Sequence, residues 1–315
     1  MQMLPKSRAP ATQSRFLRGF LRGILLANIF AQGGIIITGA LVRLTGSGLG
    51  CPTWPECAPG SIIPQANQVE GFHKFIEFGN RTLTGAVGLI ALLALIAVWR
   101  YHQSEKGGRG LSLGLALVPV LGTLLQALLG GVTVLTGLNQ FTVNAHFLVS
   151  IALVAVAVVL YARFSVTNLN PPRLVSWGVN ATVLVGLVVV ITGSIVTGSG
   201  PHAGDETSAR YPIDVRTTAW LHADSVFLFL GLLIATLAAA KCLLDSQDAQ
   251  LTRNLSLVLS VALIQGIVGY AQWFTYLPWA LVGAHVTLAV LLWVSLVMAW
   301  VRVQPRLLLA ATASK

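Results

Sequence analysis

Three histidines carry the first chemical signal. His146, His222 and His285 each lie in a long apolar stretch, a few residues inside one of its ends. Neutral imidazole is the commonest side-chain metal ligand. Ionisable residues inside apolar spans are candidates for function by default. Imidazoles at one depth on facing helices are what axial ligation of heme iron requires. The plainer chemistry is hydrogen bonding between helices, and for a single histidine that reading would win. Three at a matched depth favour heme, with His222 and His285 pairing in the C-terminal half and His146 standing alone in the N-terminal half. His73 precedes Glu77 by four residues and Asn80 by seven, so on one helix all three share a face. Glu77 suits general-base work or stabilisation of developing positive charge; a helix N-terminus would also favour it. His102 is expected to be solvated in a short loop.

The elements that must hold these groups follow from composition. The chain has 315 residues, 55% hydrophobic and only 10% charged, against roughly 25% charged in soluble domains. Eight apolar runs are long enough to span a bilayer: 22–42, 80–99, 111–135, 143–162, 175–197, 219–243, 254–274 and 280–301. They are continuous rather than alternating, so an all-α membrane protein is expected, since only helices or closed barrels satisfy the backbone in lipid. The first run follows Lys6, Arg8, Arg15, Arg18 and Arg22 but lacks a convincing cleavage site, and reads as a retained span. Fifteen of the twenty basic residues fall on one side of these spans and five (Arg43, Lys74, Arg81, Arg210 and Arg216) on the other. The basic-rich side is cytoplasmic. Both termini are therefore expected in the cytoplasm of a multi-pass cell-membrane protein, with the long loops 43–79 and 198–218 outside. Topology accounts for the net charge of +10, and no nucleic-acid partner is needed.

The order of residues repeats. Ile37-Thr38-Gly39-Ala40-Leu41-Val42 recurs as Ile191-Thr192-Gly193-Ser194-Ile195-Val196, each followed by Thr-Gly-Ser-Gly. Gln126 and Gly130 precede His146 by the same distances as Gln265 and Gly269 precede His285. Two four-helix halves are expected, 22–165 and 166–303, flanked by a cytoplasmic segment 1–21 and a tail 304–315. An even number of spans per half makes the repeats parallel, and a four-helix bundle is a natural cofactor container. The position matching His222 in the first half falls within Glu77-Phe78-Gly79-Asn80-Arg81, which has no histidine. Similar architecture with unlike chemistry implies one cofactor site and one substrate site.

The first outer loop holds Cys51 and Cys57, six positions apart on the oxidising side. A disulfide or a pair of free structural thiols is open there; zinc would need two further ligands that the loop does not offer. Cys242, at the cytoplasmic end of the sixth span, reads as an inert packing residue.

The stretch Arg43-Leu44-Thr45-Gly46-Ser47-Gly48-Leu49-Gly50-Cys51, continuing through Trp54-Pro55 to Cys57, closely resembles the outer-loop motif of the heme A synthase family. Eight spans, duplicated halves and the later histidines fit the same family. The resemblance implies a heme b cofactor on His222 and His285, with heme O as substrate and heme A as product. It also implies a substrate-heme ligand at His146 and a functional glutamate at Glu77. The reaction implied is oxidation of the C8 methyl of heme O to a formyl group. Heme O synthase and cytochrome oxidase assembly factors are the implied partners. The family pattern Glu-x-x-His-Arg reads Glu77-x-x-Asn80-Arg81 here, so one substrate-heme ligand is missing from its expected place. His73 is the candidate replacement, a five-coordinate substrate heme the other possibility. Arg81 and Arg43 are candidates to pair heme propionates, or to snorkel at the interface. A di-heme b-type cytochrome would use the same histidines, but it explains neither the cysteine loop nor the unlike halves.

Overall fold

The computed structural model of the chain describes residues 11–104, 109–167, 169–245 and 248–308. Among them are eight α-helices: α1 (Ala11–Leu44), α2 (His73–Ser104), α3 (Arg109–Leu135), α4 (Gln140–Ser165), α5 (Arg173–Ser199), α6 (Val215–Leu243), α7 (Ala249–Phe274) and α8 (Trp279–Val301). All eight are long and apolar enough to cross a membrane, as the apolar runs predict. Lys6, Arg8, Lys106 and Lys315, counted above for orientation, lie outside the described residues, as does the end of the expected tail.

Most helices outrun their apolar cores, for local reasons. The Asn139 side chain accepts from Phe141 N and opens α4; the Asp214 side chain accepts from Thr217 N and opens α6. Such caps satisfy backbone donors that the first turn leaves free. They let a polar first turn precede the apolar run of α4 and α6; α2 likewise begins seven residues before its expected span. The first outer loop shrinks accordingly to 45–72.

Consecutive helices pack as pairs, and α4, α8 and α1 meet at the centre. A main core of Val175, Val179, Leu233, Leu255, Leu296 and Val297 fills the last four helices and continues onto Val154 and Val158 of α4. Trp293 Nε1 donates to Ile151 O across α8 and α4 at 3.0 Å, which satisfies the indole deep in that core. A second cluster, Leu21, Leu25, Ala94, Val98, Ala116 and Leu160, closes the first four helices at the end away from the outer loop. Many leucines, Leu124, Leu184 and Leu228 among them, face outward, as lipid-facing surfaces require.

Two expectations need correction. His102 is not solvated: it sits in the last turn of α2, buried, with its ring 6.0 Å from that of Phe164. Extension of α2 past its apolar run carries it onto α4. Cys242 is exposed rather than packed, because it falls on the outer face of the last turn of α6.

Candidate functional site

Helix starts set the level of the candidate ligands. His146 is the seventh residue of α4 and His285 the seventh of α8; His222 is the eighth of α6, and Asn80 the eighth of α2. At about 1.5 Å per residue, these four positions share one layer near the outer ends of the even-numbered helices.

In the C-terminal half the His222 and His285 ring centroids stand 6.5 Å apart, with their planes at 77°. Two imidazoles on one metal, each bonded at about 2.0–2.1 Å, would have centroids roughly 6.3 Å apart once the ring radii are added. The pair is thus spaced for a metal between its rings. Thr192 Oγ1 lies 3.1 Å from His222 Nδ1, the kind of outer contact that fixes a ligating imidazole and frees its other nitrogen. Glycine makes room on each facing helix. A Cβ at Gly193 would meet His222 Cε1 at 3.0 Å, and one at Gly269 would meet His285 Cε1 at 3.2 Å. His285 Nδ1 is buried with no hydrogen-bond partner among the described residues. Bonding between helices thus accounts for His222, through Thr192, but not for His285 Nδ1. The pair fits an axially ligated heme.

The N-terminal half repeats the arrangement with one change. Gln126 Nε2 donates to His146 O at 2.8 Å, as Gln265 Nε2 does to His285 O at 3.0 Å. Gly130 faces His146 Cε1, with a Cβ distance of 3.6 Å, and His146 Nδ1 is likewise buried without a partner among the described residues. Thr38 Oγ1 donates to Asn80 Oδ1 at 2.8 Å, in the place where Thr192 meets His222. A groove of about 530 Å³ opens between α1 and α2, lined by Thr38, Asn80, Phe75, Phe78 and Leu83 among others. That volume lies within the range of small-molecule sites, about 300–1,000 Å³. The half thus repeats the histidine on α4 and sets an amide, Asn80, at the α2 position that corresponds to His222 on α6. His73 is the first residue of α2, exposed, its Nδ1 2.8 Å from Ser47 Oγ. It shares the helical face of Asn80 but stands two turns outside the ligand layer.

The cysteine loop is built onto this half. Cys51 and Cys57 form a disulfide and are fully buried. Glu77, also buried, accepts from Cys51 N at 2.6 Å through Oε2. Its Oε1 accepts from Arg81 Nε at 3.1 Å and Nη2 at 2.6 Å. Arg81 donates further to the carbonyls of Thr53, Glu56 and Cys51, at 3.0, 3.0 and 2.7 Å. The guanidinium carries five N–H donors, and these contacts engage them all. The arrangement leaves none for a propionate, so Arg81 serves the loop instead. Trp54 lies against Gly131, where a Cβ would fall 2.8 Å from Cε2. The loop thereby covers α3 beside the glycine that faces His146.

Arg43 has a different task. Its Nη2 donates to Thr197 O at 2.7 Å and Gln140 Oε1 at 3.1 Å, and its Nε to His202 O. The second outer loop thus reaches across to the first half. Tyr211 continues the strap: Asn144 Nδ2 donates to its hydroxyl at 2.9 Å, and the hydroxyl donates to Gln140 O at 3.1 Å. Burial pushes the Tyr211 phenol above its ordinary value, so it stays a neutral donor. Neither Tyr211 nor the Arg81–loop contacts were evident from sequence. Both join residues far apart in the chain with no motif to mark them.

Residues 22–204 match the cytochrome oxidase assembly protein family (COX15-CtaA). A heme A synthase of Lysinibacillus sphaericus is 33% identical over 174 residues, 51% of this chain and 53% of that protein. One of Shouchella clausii is 36% identical over 140 residues, 44% of each. One of Geobacillus kaustophilus is 30% identical over 196 residues, 58% of this chain and 56% of that protein. The chain thus spans about half the length of the curated relatives it matches. With more than half of its own residues matched, the chain belongs to the cytochrome oxidase assembly protein family, the heme A synthase family that its outer-loop motif resembles.

Proposed function

We propose that this chain is a heme A synthase that oxidises the C8 methyl of heme O to a formyl group, by successive hydroxylation and loss of water within the membrane. The observation that carries the reading is the His222–His285 pair, spaced at 6.5 Å for a metal between two imidazoles, in a chain of this family. Heme b held there would supply one-electron transfer. Residues 166–303 form the heme b half and residues 22–165 the substrate half. The shared Gln–His and Thr–ligand contacts support a parallel duplication. His146 binds the substrate heme from α4. Thr192 orients His222 through Nδ1, and Gln126 and Gln265 fix the backbone at His146 and His285. The disulfide loop, pinned by Glu77 and Arg81, lies over the substrate half and limits water there. Glu77 Oε2, beside Cys51 N, is the atom on which we place a proton during oxidation. Arg43 holds the outer loops together with Nη1 left without a partner among the described residues, so it remains the propionate candidate. Both termini lie in the cytoplasm and loops 43–79 and 198–218 on the outer side of the cell membrane. Heme O synthase would deliver the substrate, and oxidase assembly factors would receive heme A.

Extraction of hemes from the purified protein, with chromatographic separation, tests this. Heme B together with heme O or heme A is expected. Heme B alone would turn the reading toward a di-heme cytochrome, and no heme would overturn it.

A further inference from the structure

We infer that Asn80 occupies the register of an axial ligand without being one, so that the N-terminal half gives a heme iron one protein ligand, His146, and leaves the opposite face open. This rests on the heme-binding reading of that half. Three observations place Asn80 in register. It is the eighth residue of its helix, as His222 is of α6. It is bonded through its side chain to Thr38, as His222 is to Thr192. It faces Gly39, with a Cβ distance of 4.0 Å to Nδ2, as His222 faces Gly193. The chemistry of the side chain then excludes ligation. A carboxamide is not among the usual protein ligands of heme iron, which are imidazole, thiolate, thioether and phenolate, and the bond from Thr38 at 2.8 Å holds its Oδ1 toward α1. Nδ2 carries two N–H donors and no lone pair free for a metal. It can hydrogen-bond a small molecule on the iron but cannot bind the iron itself.

His73 does not fill the gap. It stands seven residues before Asn80, about 10 Å along the helix axis, and Ser47 holds its Nδ1. Reaching the layer of His146 would require unwinding the first two turns of α2. Those turns carry Lys74, whose ammonium donates to the carbonyls of Gln65 and Ala66, and Glu77, bonded to Cys51. The groove between α1 and α2 is lined by Asn80, so a small molecule in it can meet the Asn80 amide.

The test titrates the purified full chain with ferric iron protoporphyrin IX to saturation. Absorption and electron paramagnetic resonance spectra are recorded before, and again after dithionite reduction and exposure to carbon monoxide. One heme population should be low-spin and indifferent to carbon monoxide. The other should be high-spin and bind it. Asn80→His should convert the second population to low-spin and abolish its carbon monoxide binding, and His73→Ala should leave both unchanged. Two low-spin, carbon monoxide-insensitive populations in the wild type would overturn the inference. So would loss of a low-spin population in His73→Ala. Uptake of a single heme by both wild type and Asn80→His would instead overturn the two-site reading beneath it.

Discussion

At the scale of residues, similar neighbours surround unlike groups. Thr38 and Thr192 make equivalent bonds, one to an amide and one to an imidazole, and this difference, with Glu77 and the disulfide loop, sets the halves apart. Glu77 illustrates how a site residue can also be structural. Both its oxygens are engaged, by Arg81 and by Cys51 N. Glu77→Gln keeps one acceptor and turns the other into a donor facing N–H groups. We expect the variant to retain heme on His222 and His285 but to form no heme A; normal heme A output would remove Glu77 from the chemistry. Arg81→Ala strands a buried carboxylate, at a cost on the order of 3 kcal/mol. Arg81→Lys should rescue little of it, because an ammonium cannot reproduce the planar fork that meets Glu77 and three carbonyls. Thermal unfolding of the detergent-solubilised protein reads both, and wild-type stability in Arg81→Lys would refute the claim.

At the scale of elements, the glycines opposite the histidines matter more than helix propensity. Gly193 on α5 leaves room for the His222 ring, and Gly131 on α3 for the Trp54 indole. Gly193→Val should tilt His222 and remove the low-spin heme of the C-terminal half while sparing the other site. Gly131→Val should lift the disulfide loop and impair retention of heme in the N-terminal half alone. Heme content per chain, by pyridine hemochrome, checks both; the same loss from either substitution would show that the halves are not separate sites. The helices themselves were legible, because continuous apolar runs of bilayer length have one physical solution. Their starts were not. Asn139 and Asp214 place a polar turn ahead of α4 and α6, and hydropathy is blind to such caps. The histidine layer was readable because distance from a span end converts directly into depth. The binding of the cysteine loop to Glu77 and Arg81 was not, since it links residues 25 to 30 positions apart through backbone carbonyls that no side-chain pattern announces.

At the scale of the molecule, the halves are joined by the apolar seam of α8 with α4 and α1, by Arg163 donating to Leu307 O at one end, and by the strap of Arg43, Gln140 and Tyr211 at the other. The asymmetry of basic residues, fifteen against five, is the ground for the proposed orientation, in which eight spans return the chain to the side on which it began. Cys242 offers a native probe of that side. It is the free, exposed thiol at the end of α6 remote from the histidines, whereas Cys51 and Cys57 are joined and buried. A membrane-impermeant maleimide should label Cys242 only after permeabilisation of cells. A thiol near the lipid boundary could react slowly on either side, so the second arm is Val69→Cys in a Cys242→Ser background. Val69 is 96% exposed in the first outer loop, and its replacement should label in intact cells. Labelling of Val69→Cys only after permeabilisation would invert the topology. It would place the heme layer on the cytoplasmic side and leave the basic excess without its explanation.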